Sequence, residues 1–336
     1  MLNVESNDLH TYTETMKETI CVDLDYTLVY TDTLLELWLK MLYHQPSSAL
    51  KAVYLLFFKG MIACKWFLNQ FDFTEASSLP YNHELIEWLK DKKKTHHIWL
   101  VTGSSQTIAH QVAKHLMLFD GVIASHSKST MVGPFKAQQM TDQFQTFSYI
   151  GDSKKDLYVW PKCKKKGVVF QGKNPYPSID FDYYFKRPSL TWSAWIQFLS
   201  FTTCWPCMFP LVSTIVYPEW ASTLLIYCVA LTLTHFSCQL FENIYYLQVN
   251  RKRKHQNIVA SSTYSVELVI THFFIFSLTA FSLSFFISAL TSMMILLVHI
   301  LYGFINICLK KSRFCHVKLA LVLGINLFSS ILICQF

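Results

Sequence analysis

The sequence predicts two unlike halves: an α/β domain built on a parallel sheet with a helical cap, then an all-α transmembrane bundle of about five helices. Three observations carry this. The chain has 336 residues, 52% hydrophobic and 16% aromatic but only 15% charged, against about 25% charged in ordinary soluble domains. The deficit is local. Residues 191–336 hold eight Lys/Arg (Arg251, Lys252, Arg253, Lys254, Lys310, Lys311, Arg313, Lys318) and three acids (Glu219, Glu242, Glu267), leaving 21 basic and 19 acidic residues before them. Within the first half, short apolar runs alternate with helical stretches, the pattern of strands joined by crossover helices. A purely soluble enzyme, a disordered chain and a secreted disulfide scaffold are excluded.

Ile20-Cys21-Val22 closes on Asp23, and His97–Val101 ends at Thr102-Gly103-Ser104-Ser105. Gly121–Ser125, Phe147–Ile150 and Gly167–Phe170 follow, the fourth closing on Gly151-Asp152-Ser153. Helical stretches at Glu84–Lys92, Gln106–Leu118 and Lys136–Phe144 separate most of them. Polar groups thus collect just past the strand ends, where open α/β sheets hold ligands.

Between the first two strands lies an insert, Leu34 to Asp91, with an apolar helical stretch from Ala49 to Phe71. Lys51, Lys59 and Lys65 interrupt it, so no run reaches the roughly 18–20 uncharged residues of a membrane span. A single crossing there would also separate Asp23 from Thr102. It is expected to be a cap whose apolar face is a candidate for contact with the bilayer surface.

Beyond Lys186-Arg187-Pro188 five spans are expected: Ile196–Tyr217, Ala221–Phe241, Glu267–Ile287, Leu290–Cys308 and Val317–Cys334. The loops after the second and fourth carry Arg251–Lys254 and Lys310, Lys311 and Arg313; those after the first and third carry no Lys or Arg. The start MLNVESNDLHTYTET has no export signal. With the first domain cytoplasmic, every basic loop falls on the cytoplasmic side. A multi-pass membrane protein follows, in the inner membrane if the chain is bacterial, with membrane lipids as partners. Of the net charge of +7, most belongs to these loops, so it is a topology signal and no nucleic acid is expected. The ten cysteines lie mostly in or beside apolar stretches, as small buried hydrophobes.

Four groups in the first domain make one constellation. Asp23 and Asp25 stand two apart after the first strand, and Thr102 with Gly103 follows the second. Lys136 opens a helix in GPFKA, and Gly151-Asp152-Ser153-Lys154-Lys155-Asp156 follows the fourth strand. Phosphoryl transfer needs such parts. A carboxylate such as Asp23 can form an aspartyl-phosphate, which splits hydrolysis into two easier steps. The neighbouring Asp25 would protonate the leaving oxygen and later deprotonate the attacking water. Mg²⁺ suits an all-oxygen site made by Asp23, Asp152 and the carbonyl of Leu24. Lys136 brings a point charge to the phosphate, and Thr102 with the turn at Gly103 brings a hydroxyl and backbone N–H groups.

DLDYT, LVTGSS, the KA of GPFKAQQM and YIGDSKKDLYVW resemble the four motifs of the haloacid dehalogenase-like phosphohydrolases. The resemblance implies a Rossmann-like fold with the insert as cap, Asp23 as nucleophile and Asp25 as acid/base. It also implies Thr102, Gly103 and Lys136 as phosphate contacts, and a metal centre drawn from Asp23, Leu24, Asp25, Asp152 and Asp156. The one departure is Tyr26, where glycine is common. Residues 1–187 are expected to form this domain, with the cap at about 34–91, and residues 188–336 the membrane domain.

The whole chain is also similar to an architecture in which such a domain is fused to a UbiA-type prenyltransferase, through TDTLLE, LPYNHELIEWL, LFDGVIAS and KRPSLTWSAW. UbiA-type enzymes hold a prenyl diphosphate through aspartate-rich motifs resembling N-D-x-x-D-x-x-x-D. Here the matching place is Asn243 to Arg251: Ile244, Leu247 and Arg251 occupy the aspartate positions, and no Asp follows Asp182. A truncated domain without those carboxylates cannot hold Mg²⁺ against a diphosphate. Cys204-Trp205-Pro206-Cys207 has redox-type spacing without a thioredoxin-like context, and His235, His272 and His299 are expected in interhelical hydrogen bonds. The expected function is therefore a membrane-anchored, Mg²⁺-dependent phosphatase acting on a small-molecule phosphomonoester or a lipid-linked or isoprenoid phosphate. A non-catalytic membrane scaffold is the alternative, and a prenyl or phosphoribosyl transferase the third.

Overall fold

The computed structural model describes residues 17–71, 75–125, 130–198, 215, 218–252 and 259–309. Its first half is a six-stranded, all-parallel sheet in the order β3-β2-β1-β4-β5-β6. The strands are β1 (Glu18–Val22), β2 (His96–Ser105), β3 (Gly121–Ser125), β4 (Phe147–Gly151), β5 (Lys166–Gln171) and β6 (Tyr183–Arg187). The first five match the expected runs, with β2 continuing four residues past Val101. The sixth, Tyr-Tyr-Phe-Lys-Arg, was not anticipated; it pairs along β5 from Tyr183 to Arg187.

Alternation along the strands builds a core on each face, as it must where both faces are covered. Ile20, Val22, Leu100, Ile150 and Val169 point to one side, against α4 (His83–Lys92), α5 (Gln106–Leu116) and the cap. Cys21, Val101, Tyr149, Val168 and Phe170 point to the other, against α6 (Gly133–Gln143) and the turns around Trp160. Side-chain caps fix where helices begin. The Asp32 carboxylate accepts from the amides of Leu34 and Leu35, and Asn82 Oδ1 accepts from that of Leu85.

The insert forms α1 (Thr33–His44), α2 (Pro46–Lys59) and α3 (Met61–Leu68). The stretch expected as one helix from Ala49 is two. Gly60 sits at φ 85° between them, a conformation glycine alone adopts without strain.

In the second half, α7 (Trp192–Phe198) precedes α8 (Ala221–Tyr245), the short α9 (Leu247–Lys252), α10 (Val266–Phe285) and α11 (Ala289–Leu309). Among the described residues three helices are long and apolar enough to cross a membrane: Pro218–Tyr245, Val266–Phe285 and Ala289–Ile307. They correspond to the second, third and fourth expected spans. The first span falls largely, and the fifth wholly, outside the described residues, as do Cys204, Cys207 and the basic cluster at 310–313. Fully buried Ala230 on α8 and Ala280 on α10 share one cluster with Ile295 of α11; small side chains let such helices approach. His299 shares a 2.7 Å hydrogen bond with Ser237 across α8 and α11. His272 bonds Tyr264, and His235 bonds Gln239 within α8.

The halves meet at the root of the cap. Leu39 of α1 packs with Leu240 and Ile244 of α8 and with Val266 and Val269 of α10. Beside it Glu36 and Arg251, both nearly fully buried, form an ion pair at 2.6 Å. Gln248 donates to the same carboxylate oxygen, Oε2, at 2.7 Å. Arg251 also donates to the Ala260 carbonyl.

Candidate active site

The sheet order reverses between β1 and β4, and open sheets leave a ligand crevice at the carboxyl ends of such strands. β1 delivers Asp23, whose amide donates to the Ile150 carbonyl at 3.0 Å. β4 delivers Asp152 after Gly151. Here a Cβ on Gly151 would lie 2.6 Å from an Asp156 carboxylate oxygen, so only glycine lets Asp156 fold back. Asp156 then accepts from the amides of Asp152 and Ser153 and from the Ser153 hydroxyl. Asp23, Asp152 and Asp156 offer carboxylate oxygens all within 4.8 Å of one another.

Lys136, in the first turn of α6, reaches into this cluster from the opposite face. It is 3% exposed, and its ammonium lies 3.1 Å from Asp23 and 3.8 Å from Asp156. It donates to the Tyr149 hydroxyl at 2.6 Å, which in turn donates to Asp156 at 2.6 Å. Three carboxyls set against the Lys136 ammonium and the Arg187 guanidinium beside Asp152 leave an excess of acid groups in the cluster. Burial raises the Asp23 and Asp152 carboxyls above their ordinary range; for Asp23 the Lys136 charge opposes this, while for Asp152 the neighbouring Asp23 adds to it. An all-oxygen, acid-rich, buried donor set fits a hard divalent cation.

Asp25 points elsewhere. One oxygen accepts from the Thr33 amide at 2.9 Å, and the other from the Ser104 hydroxyl. The Ser104 and Thr33 hydroxyls touch at 2.9 Å, and the Ser104 amide donates to Thr102 Oγ1 at 3.0 Å. Asp25 is thus tied to the cap through Thr33 and to β2 through Ser104. Burial, with the Asp32 charge behind it, raises Asp25 to about 7, where a carboxyl serves as both acid and base near neutral pH.

The sequence-derived residues therefore divide. Asp23, Lys136, Asp152 and Asp156 converge on one point, and Asp25 and Thr102 are linked through Ser104 at the next strand end. Gly103 lies in the same turn, its carbonyl accepting from Ser125 Oγ. The Leu24 carbonyl accepts from the amides of Thr27, Leu28 and Val29. The two Asp25 carboxylate oxygens accept from Thr33 and Ser104. Three contributors were missed: Ser104, Tyr149 and Arg187. Arg187 ends β6, with one guanidinium nitrogen 3.8 Å from Asp152 and its centre 5.1 Å over the Tyr26 ring. The repeated hydroxyls of Thr102-Gly103-Ser104-Ser105 were a usable signal for Ser104 alone.

Tyr26, the departure from the common glycine, sits at φ 56°, and its hydroxyl donates to Glu267 at the start of α10. In the second half, the Asn243 amide donates to the Gln239 carbonyl, and Arg251 is engaged by Glu36.

No family model matches the chain. An uncharacterized protein, y4nM, of Sinorhizobium fredii (strain NBRC 101917 / NGR234) is 32% identical over 155 residues, 46% of this chain and 30% of that protein. The chain thus spans less than a third of the length of the curated relative it matches. Among solved structures, a HAD family hydrolase from Salmonella enterica subsp. enterica serovar Typhi has a TM-score of 0.37 at 12% identity, covering 50% of this chain and 67% of that one. A phospho-aspartyl intermediate analogue of phosphoserine phosphatase has a TM-score of 0.33 at 12% identity, covering 51% and 94%.

Proposed function

We propose that the chain is a membrane-anchored, Mg²⁺-dependent phosphatase that hydrolyses a phosphomonoester through an aspartyl-phosphate on Asp23. The observation that carries this is the convergence of Asp23, Lys136, Asp152 and Asp156 on one point, with Asp25 two residues on and poised at about 7. Lys136 opposes the effect of burial on the Asp23 carboxyl, favouring its anion, and faces the incoming phosphoryl oxygens. Asp23 attacks phosphorus; the new O–P bond forms as the ester O–P bond breaks, and Asp25 gives its proton to the departing alkoxide. Asp25, now a carboxylate, takes a proton from water, which attacks phosphorus and releases inorganic phosphate and free Asp23. Mg²⁺ held by Asp23 and Asp152, with Asp156 ordering their loop, would neutralise charge on the phosphoryl group.

The three apolar helices support anchoring, with residues 1–187 on the cytoplasmic side by the placement of basic loops. A lipid-linked or isoprenoid phosphate is the substrate class such an anchor favours. Arg251, at a place where UbiA-type enzymes carry an aspartate, is paired with Glu36; this favours phosphatase over transferase. The test is a screen of lipid and soluble phosphomonoesters with Mg²⁺, wild type beside Asp23→Asn. Release that depends on Mg²⁺ and vanishes in Asp23→Asn supports the reading. No release from any ester, or equal rates in the two proteins, refutes it and leaves a scaffold.

A further inference from the structure

The cap hairpin α2–α3 is apolar on both sides. Its inner side is ordinary: Ala49 and Ala52 of α2 and Cys64, Phe67 and Leu68 of α3 are buried against the core of the first domain. Its outer side exposes Leu50, Tyr54, Phe57 and Phe58, spaced i, i+4, i+7 and i+8, so they form one stripe of α2. Ile62 and Trp66 continue the surface onto α3. Phe57 is 79% and Ile62 80% exposed. Elsewhere in the described first domain, large exposed apolar side chains are scattered singly or in pairs. A comparable density recurs only on the three apolar helices, as at Phe274, Ile275 and Leu278. A contiguous apolar surface of this kind marks an interaction site.

We propose that the outer face of the α2–α3 hairpin lies in the interface of the lipid bilayer, making the cap itself a membrane-contacting element. The proposal rests on reading the three apolar helices as membrane spans. Three features select lipid over another occupant. The hairpin starts where those helices end: α1 packs through Leu39 on α8 and α10, and the Tyr43 ring lies 5.3 Å from Tyr245 at the last turn of α8. One residue, Gln45, then separates α1 from α2. The hairpin's charged residues are all cations, Lys51, Lys59 and Lys65, with no acid between Pro46 and Leu68; lysines on an apolar surface reach headgroups while their stems stay in the acyl region. Tyr54 and Trp66 are the aromatic types that settle at the membrane–water boundary. A soluble docking partner would have no reason to find its site at the foot of the membrane helices.

The test uses the full chain reconstituted in vesicles of phosphatidylcholine and phosphatidylglycerol. A genetically encoded fluorescent amino acid replaces Ile62 in one protein and Glu87, on the exposed face of α4, in another. Both positions are solvent-facing, so neither replacement disturbs the core. Brominated acyl chains are expected to quench the Ile62 probe several-fold more than aqueous iodide does, with the order reversed at Glu87. Iodide quenching at Ile62 equal to that at Glu87 overturns the proposal. So does shielding of Ile62 from both quenchers, which would mean that protein, a second copy or another segment, covers the face. Omitting phosphatidylglycerol should reduce lipid quenching at Ile62; no change would remove the lysine rim from the argument and overturn the electrostatic part. None of these readouts uses turnover, so failure of the phosphatase reading is a separate result.

Discussion

Lys136→Met is the perturbation that tests the candidate site most sharply, because one ammonium serves Asp23, Tyr149 and Asp156 at once. Methionine keeps the length and apolar stem but removes the charge. At 3.1 Å from Asp23, Coulomb's law with an effective dielectric constant of about 20 gives an attraction of about 5 kcal/mol. That is equivalent to a rise of up to about 4 pK units in Asp23, whose carboxyl already stands above its ordinary range. On the proposed mechanism the Asp23 carboxyl would then hold its proton to higher pH, and the phosphoryl oxygens would lose their cation. Removing a single stabilising donor from a transition state costs about 10²–10³ in kcat, and a loss at least that large is expected. The assay is Mg²⁺-dependent hydrolysis of a soluble phosphomonoester by the full chain in detergent, expressed per folded molecule and followed across pH. Removing a buried partner also destabilises by about 3–5 kcal/mol, so the shape of the pH profile is the discriminating readout. Its acidic limb should move upward, which partial unfolding cannot produce. A variant that keeps more than about a tenth of the rate with an unmoved acidic limb would refute the placement of Lys136 beside the nucleophile.

Three further outcomes follow from the geometry. Ser104→Ala removes the hydroxyl whose hydrogen bond holds Asp25 down from a still higher value; a bond to a charged group is worth about 1.5–3 kcal/mol, so the basic limb, where Asp25 loses its acid form, should shift to higher pH by about 1–2 units. Metal-free protein should be most stable in acid, because Asp152 keeps its proton in the folded state well above its ordinary value. That stability is lost as pH rises from the ordinary carboxylate range through the folded pKa, and Mg²⁺ should restore it near about pH 8 but not near about pH 5 in thermal unfolding scans. Arg251→Met strands the buried Glu36 carboxylate and should cost about 3–5 kcal/mol, whereas the Glu36→Met/Arg251→Met double variant should recover most of that in urea unfolding.

The legible parts of the site are those that strand ends announce. Asp23, Thr102 and Asp152 each follow a short apolar run, and a parallel sheet with adjacent strands β1, β2 and β4 brings such ends together. Lys136 was legible through its place at a helix start. What stayed hidden depends on packing across the sheet. Tyr149 lies inside β4, where a buried aromatic is unremarkable; its hydroxyl becomes structural only because Lys136 and Asp156 arrive from other elements. The direction of the Leu24 carbonyl is likewise set by its turn, where three amides donate to it, and no run of residue types shows that. β6 was missed because Tyr183–Arg187 ends on two cations and exposes Tyr184 and Lys186, as an edge strand does.

Tyr26 shows why the halves of this chain are best treated as one mechanical unit. A non-glycine residue in the left-handed region costs about 1 kcal/mol or more, and it follows the candidate acid/base directly. Glycine would remove that strain at the same position. What glycine cannot do is reach Glu267: the Tyr26 hydroxyl donates to this carboxylate at the first turn of α10. Burial, reinforced by Glu267, pushes the Tyr26 hydroxyl above its ordinary pKa and keeps its proton in place as a donor. Arg187, stacked on the same ring and 3.8 Å from Asp152, closes a path from the acidic cluster through Tyr26 to the apolar helix. A second path runs from Thr31, whose hydroxyl donates to Glu36, through Glu36 to Arg251 and Gln248. Both bind the loop between β1 and α1 to the second half by polar contacts with defined geometry, where apolar packing alone would tolerate sliding. Breaking them is expected to leave Asp23 and Lys136 in place but to free the Asp25 loop and the root of the cap, so the helices of the second half brace the Asp25 end of the candidate site.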